Sequence, residues 1–152
     1  MKNFIITIGA IILMSTIMYF QVDCNEMMRY REQLKFVADE AAATASVFVS
    51  ANDFGEGYKI YEDMAAKAAA DKMIRLNLKT KSPVTYEIYF EDDSQVKRGY
   101  NQGGDKIFLK QFTATKPRVS ILLNGGKPKF RLPFLKSNKD IIVKSYYEYV
   151  AF

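Results

Sequence analysis

At 152 residues, 49% hydrophobic and 26% charged, the chain has the composition of a folded protein and not of a disordered one. Its 22 basic and 17 acidic residues leave a formal charge of +5, but no Lys/Arg cluster sits on a nucleic-acid-binding motif, so no nucleic-acid partner is expected. There is no His and only one Cys, which removes the commonest general base, the commonest metal ligand and any intramolecular disulfide.

Residues 4–20, FIITIGAIILMSTIMYF, carry no charge and are just long enough for a membrane span, which takes roughly 17 to 25 apolar residues. Neither Pro nor Gly occurs from Gln21 to Ser50, so one helix is expected to run from the apolar segment (1–22) through its continuation (23–50). A secretory signal prefers a shorter apolar run followed by a small-x-small site. Tyr19, Phe20, Gln21, Val22 and Asp23 supply none, and the helix is expected to be retained. Lys2 before the span, against a nearly balanced set of charges after it, favours an amino terminus inside and a head outside. Cys24 lacks the small and apolar residues that precede a lipidated cysteine and reads as a buried or interfacial thiol.

Further along, Leu34, Ala38, Ala41, Ala45 and Phe48 recur at helical spacing and form a seam. Alanine lets two helix backbones approach closely, whether the partner is another subunit or the protein's own head. With Ile8 and Ile12 of the apolar segment, these are the expected helix-packing residues. ANDFGEGY at 51–58 turns the chain. A second helix is expected over 58–78, with Ile60, Tyr61, Met64, Ala65, Ala68, Ala69, Met73 and Leu76 on its apolar side and Asp63 and Asp71 among its polar residues, making a hairpin with the first.

Ser82-Pro83 closes the helical half. Residues 84–90 alternate apolar and polar and read as a strand. A polar loop or irregular hairpin over 91–105 follows, then strands at 106–112 and 118–124. Gly125-Gly126 reads as a tight hairpin into a proline-bearing edge strand, KFRLPFL, and residues 140–152 read as the last strand. The expected fold is α+β: a long N-terminal helix, a second helix paired with it, and a head over 51–152 with an antiparallel sheet of four to five strands.

No catalytic constellation emerges. Glu91-Asp92-Asp93 lacks the spacing of a calcium loop and reads as a solvated turn. Neither Gly-Gly pair precedes a helix with Lys-Ser/Thr, so neither is a phosphate cradle. No enzyme activity, metal or cofactor is expected. Tyr146, Tyr147 and Tyr149 are candidates for contacts between heads, with alternate members facing the core of the sheet as the plainer reading.

The segments LKFVADEAAATASVFVSA, AAKAAADKMIRLNLK and VSILLNGGKPKFRLPFLKSNKDIIVKSYYEYV, placed after an apolar helix, resemble the TadE/TadG-like proteins of tight-adherence pili, distant relatives of type IV pilins. Those proteins show a D-x-A-ALA-type run, further alanine helices and a closing V-x-V…LP-x-L…I-x-V-x-S pattern. The resemblance implies a structural subunit of a surface filament, homo-oligomeric, inserted in the cytoplasmic membrane before a pilus assembly machinery extracts it. The alternative is a membrane-anchored assembly factor or ligand-binding ectodomain. One departure is plain: IILMSTIM after Gly9-Ala10 has no acidic residue, so prepilin cleavage and the usual pairing of a Glu with the amino terminus are not implied.

Overall fold

The computed structural model describes residues 1–78, 84–94, 96–107, 116–131 and 137–148. Its dominant element is α1, Lys2–Ser46, a single helix of 45 residues and about 68 Å at 1.5 Å per residue. The helix is continuous because nothing between Lys2 and Ser46 breaks it: Gly9 is its only glycine, and the alanines of its last turns are the best helix formers. It ends four residues earlier than the expected Ser50. Residues 48–50 instead pair with the returning chain, through Ser50 N–H to Ile60 O (2.8 Å), Glu62 N–H to Phe48 O (3.0 Å) and a bridge between Val49 and Tyr61.

The turn at 51–58 contains a short helix, α2 (Ala51–Gly55), and is followed by Gly57 at φ 90°, a left-handed conformation that glycine adopts without steric cost. The second long helix, α3, spans Asp63–Asn77, beginning five residues after the expected start because residues 60–62 are held by the bridge to α1's exit. It packs against α1, giving the expected helical pair.

Four strands follow: β1 (Thr85–Glu91), β2 (Arg98–Asn101), β3 (Arg118–Asn124) and β4 (Ile142–Glu148). They form one antiparallel sheet in the order β2-β1-β3-β4. Alternation decides the faces: Tyr86, Ile88 and Phe90 of β1, Val119, Ile121 and Leu123 of β3, and Val143 of β4 point to the helices and are buried. The expected strand at 106–112 is represented among the described residues by Lys106, which bridges to Tyr100; residues 108–112 lie outside them.

The helices cover one side of the sheet as a second layer. α1 lies over β3 and β4, while Tyr86 and Tyr100 reach from β1 and β2 to Asp71 and Asp63 of α3. Between α1 and α3 the core is nearly all alanine, with Ala38, Ala41, Ala42 and Ala45 of one and Ala66 and Ala70 of the other fully buried. Small side chains permit close backbones, as in other tight helix pairs. The buried stripe of α3 is Ala66, Ala70 and Ile74, rotated from the expected face, and Met64 and Leu76 are exposed. The rotation has a polar cause. Asp63 and Asp71 turn toward the sheet to accept tyrosine hydroxyls, carrying their face of the helix with them.

Gly125-Gly126 is not a tight hairpin. Gly125 N–H donates to Ile141 O (2.9 Å) and Ile141 N–H to Gly126 O (2.8 Å), so β3 pairs with β4 and the chain between makes an excursion. Residues 129–131, expected to open an edge strand, pair with no strand among the described residues and lie against α1. The rest of that expected strand, 132–135, is outside the described residues.

Candidate functional site

The feature that sets this molecule apart is the division of α1. Its residues 2–22 project from the head with no burial in any apolar position: Ile5 and Met14 are 69% and 68% exposed, and Ile8 and Ile12 are 42% and 61% exposed. Among the described residues this is the one helix long and apolar enough to cross a membrane. Its 21 residues rise about 32 Å, against a hydrocarbon thickness of about 30 Å. Tyr19 and Phe20 stand exposed near its head end, where interfacial aromatics gather.

The second half of α1 is spent inside the head. Leu34, Ala38, Ala41 and Ala45 have no exposed surface, so of the two partners open to the seam the structure supplies the protein's own sheet and α3. Phe48 falls beyond the end of α1, at the bridge to residue 62, and therefore leaves the helical seam to which its spacing assigned it. Among the residues expected to pack helices, Ile8 and Ile12 remain exposed on α1, and Phe48 is exposed beyond its end.

A collar marks the change from bare to buried. Asp23, the first residue after the apolar run, is 3% exposed. Its Oδ2 accepts the Arg131 N–H at 2.9 Å, its Oδ1 lies 3.8 Å from Arg131 Nε, and the Arg131 guanidinium also pairs with Glu26. Higher up, the Tyr30 hydroxyl donates to Gly125 O at 3.1 Å, and burial raises its pKa. A side chain at Gly125 would meet the helix: a Cβ there would stand 2.4 Å from Leu34 Cδ1 and 2.9 Å from the Tyr30 oxygen. A strap over residues 125–131 thus descends α1 from the level of Leu34 to that of Asp23. Eleven helical residues rise about 16 Å, within reach of six extended ones. The strap and helix enclose a groove of about 290 Å³ lined by Asp23, Met27, Tyr30, Pro128 and Phe130.

A second polar cluster ties α3 to the sheet. Arg98 of β2 pairs with Asp63 at 2.9 Å and with Asp92, whose side chain is fully buried and also accepts the Tyr61 N–H at 3.0 Å. Asp93 accepts the Lys59 N–H at 2.8 Å, and Glu91 pairs with Arg118. The expected solvated turn holds only for the exposed Asp93, whereas Glu91 and the side chain of Asp92 are buried, and each carboxylate has an identified partner within the head. Burial raises the Asp63 carboxyl above its usual range despite the Tyr100 hydroxyl and the Arg98 charge. Desolvation, then bonding to a carboxylate, pushes the phenols of Tyr89 and Tyr100 up to about 12. Desolvation and Asp71 raise that of Tyr86 further. Tyr86 and Tyr100 are neutral donors that stitch the sheet to α3, while Tyr89 donates to Glu87 within β1. Asp39 is set the other way: burial is outweighed by hydrogen bonds from Lys35 and Ser145 and by the Lys35 charge, which lower its pKa.

Tyr146 and Tyr147 are 60% and 48% exposed on opposite faces of β4, and the Arg118 guanidinium lies 5.9 Å from the Tyr146 ring centre. Tyr149 lies outside the described residues. Among the described residues no group of His, Cys, Asp and Glu could hold a metal ion. The collar went unread in the sequence because its tethers join Asp23 and Tyr30 to Arg131 and Gly125, and no local pattern announces pairs so far apart. The one available signal was the buried role of Gly125, hidden under a turn motif.

Comparison with family models, with curated proteins and with solved structures returned no match.

Proposed function

We propose that this chain is a structural subunit of a pilin-like extracellular filament, held in a membrane by residues 2–22 before assembly and joined to its copies through the same residues afterwards. The observation that supports this reading is the split exposure of one helix, apolar and bare for its first 21 residues and sealed into a folded head for the rest. Bare apolar surface of this extent must be covered by lipid or by protein. A filament core made of such helices, with heads outside, covers it when the lipid is gone. Ile8 and Ile12 then lie at helix contacts. Tyr146 and Tyr147 are the aromatic candidates for contacts between heads. The role is structural and calls for no catalytic group.

The match between the bare segment and the bilayer thickness also supports a second reading, a permanently membrane-anchored ectodomain or assembly factor. Electron microscopy of the full-length chain released from membranes separates the two. Uniform filaments that dissociate when Ile8 and Ile12 are both changed to Asp are expected of a subunit. Detergent-soluble monomers of wild type under all assembly conditions would defeat the filament reading and leave the anchor.

A further inference from the structure

We propose that the strap descending α1 is a binding surface for anionic phospholipid head groups, with Lys127 and Lys129 as the residues that meet the phosphodiesters and Arg131 as the tether that holds the strap at their level. The inference rests on residues 2–22 crossing a bilayer, and it adds which lipid class the head is built to sit on.

Position comes first. The Arg131 N–H bonded to Asp23 Oδ2 fixes this end of the strap level with the first residue after the apolar run. When the run occupies the hydrocarbon, Arg131 stands at the polar boundary. Lys129, two residues back, is at most about 7 Å higher, and Lys127 about 13 Å. Head groups occupy roughly 5 to 8 Å on each side of the hydrocarbon, and the field of an anionic surface extends about a Debye length, 8 to 10 Å, beyond them. All three residues lie within that reach.

Orientation comes second. Pro128 and Phe130 are partly buried in the groove against α1, while Lys127 and Lys129, which alternate with them and border the same groove, are exposed, as is Arg131. Arg131 turns its guanidinium to Asp23 and Glu26 of α1, and Lys127 and Lys129 are left as the strap's exposed cations without an ion pair among the described residues. The third element is charge. From Lys127 to Lys139 the sequence reads KPKFRLPFLKSNK, with five basic residues and no acidic one. The neighbouring carboxylates of Asp23 and Glu26 are both engaged by Arg131, and among the described residues neither Lys127 nor Lys129 makes an ion pair. A solvated loop elsewhere on the head would carry mixed signs, as the rest of this chain does. A polyanionic plane complements this one, each basic residue near such a surface adding about fivefold to the attraction.

The test uses the full chain in lipid nanodiscs, one set of phosphatidylcholine and one containing about a third phosphatidylglycerol. Acylation rates of Lys127 and Lys129 are read by mass spectrometry against Lys59, which lies at the opposite end of α1. Both lysines should react about fivefold or more slowly in the anionic discs, and about 0.5 M salt should restore the rate. Amide exchange over residues 125–131 should slow with the same lipid dependence, and the dependence should vanish in the Lys127→Gln/Lys129→Gln variant. Equal rates in the two lipids overturn the inference while leaving the membrane span intact. Slowing by soluble glycerol phosphate in neutral discs would show a free-anion site and overturn it too. Failure of the chain to co-purify with either disc overturns both the inference and the span beneath it.

Discussion

Residues 2–22 and 34–46 belong to the same helix, yet they solve opposite problems. The first stretch carries large aliphatic side chains and buries none of them in the molecule. The second buries mostly alanine, with Ala38, Ala41, Ala42 and Ala45 fully covered. Size and burial run against the usual expectation that the largest apolar side chains make the core. The contrast shows that hydrophobicity alone does not mark the core of this chain. The alanines are inside because their smallness lets α1 and α3 approach, and the isoleucines of residues 2–22 are outside because the head offers them no surface to pack on.

The sharpest way to break that contrast is to put a charge in each half. Ala41→Glu should cost the head about 4 kcal/mol or more, since a carboxylate would be buried without a partner. Its far-ultraviolet circular dichroism melt in detergent should collapse. Ile12→Glu should leave that melt unchanged and instead weaken membrane insertion by about 3 kcal/mol, read from the fraction integrated into membranes. A normal melt for Ala41→Glu together with lost assembly would return the seam to a role between subunits.

Gly125→Ala probes where the two halves meet the strap. The added Cβ would stand 2.4 Å from Leu34 Cδ1, and relieving that clash should cost about 1–3 kcal/mol of head stability, measured by chemical denaturation. Asp23→Asn keeps the shape of the collar and removes its charge. The expected loss is about 1–2 kcal/mol, confined to faster amide exchange over 126–131, with β1 and β3 unaffected. Equal acceleration across the sheet would make the collar part of the core and not its border. The smallest effect is acid sensitivity at Asp39, a half-exposed partner of Lys35. Its pKa is lowered on folding, so its contribution is present above the ordinary value of 3.8 and fades as pH falls through the lower, folded-state value. Asp39→Asn should remove only that slight fraction of the acid-induced drop in midpoint.

How much of this could be read before the fold was known differs by element. The long helix, its apolar start and the small-residue seam were legible, because helical spacing and the lack of breakers are local properties. Strands β1, β3 and β4 were legible as local runs of β-branched, aliphatic and aromatic residues, β1 alone with clear alternation. β2 was legible only as one side of the irregular hairpin open to residues 91–105, since RGYN is short, polar and contains Gly99. That glycine has a tertiary reason: the Tyr89 ring lies against it across the pair, 2.8 Å from where a Cβ would be. The face of α3 was misjudged because an alanine-rich helix offers several apolar sides, and the choice was made by Asp63 and Asp71 finding tyrosines. Of the candidate packing residues, Leu34, Ala38, Ala41 and Ala45 were correctly placed on one face, but spacing carries no information on whether the partner is the same chain.

The reciprocal bonds of Gly125 and Gly126 with Ile141 have an evolutionary corollary. They close the β3-β4 ladder on its own side of the excursion, so the register of the sheet does not depend on what lies between residues 127 and 140. Changes of sequence in that interval that keep the Arg131 tether to Asp23 leave the β3-β4 register as it is. The head can therefore be refitted to a different surface by editing one loop, while the helix and sheet that carry it stay as they are.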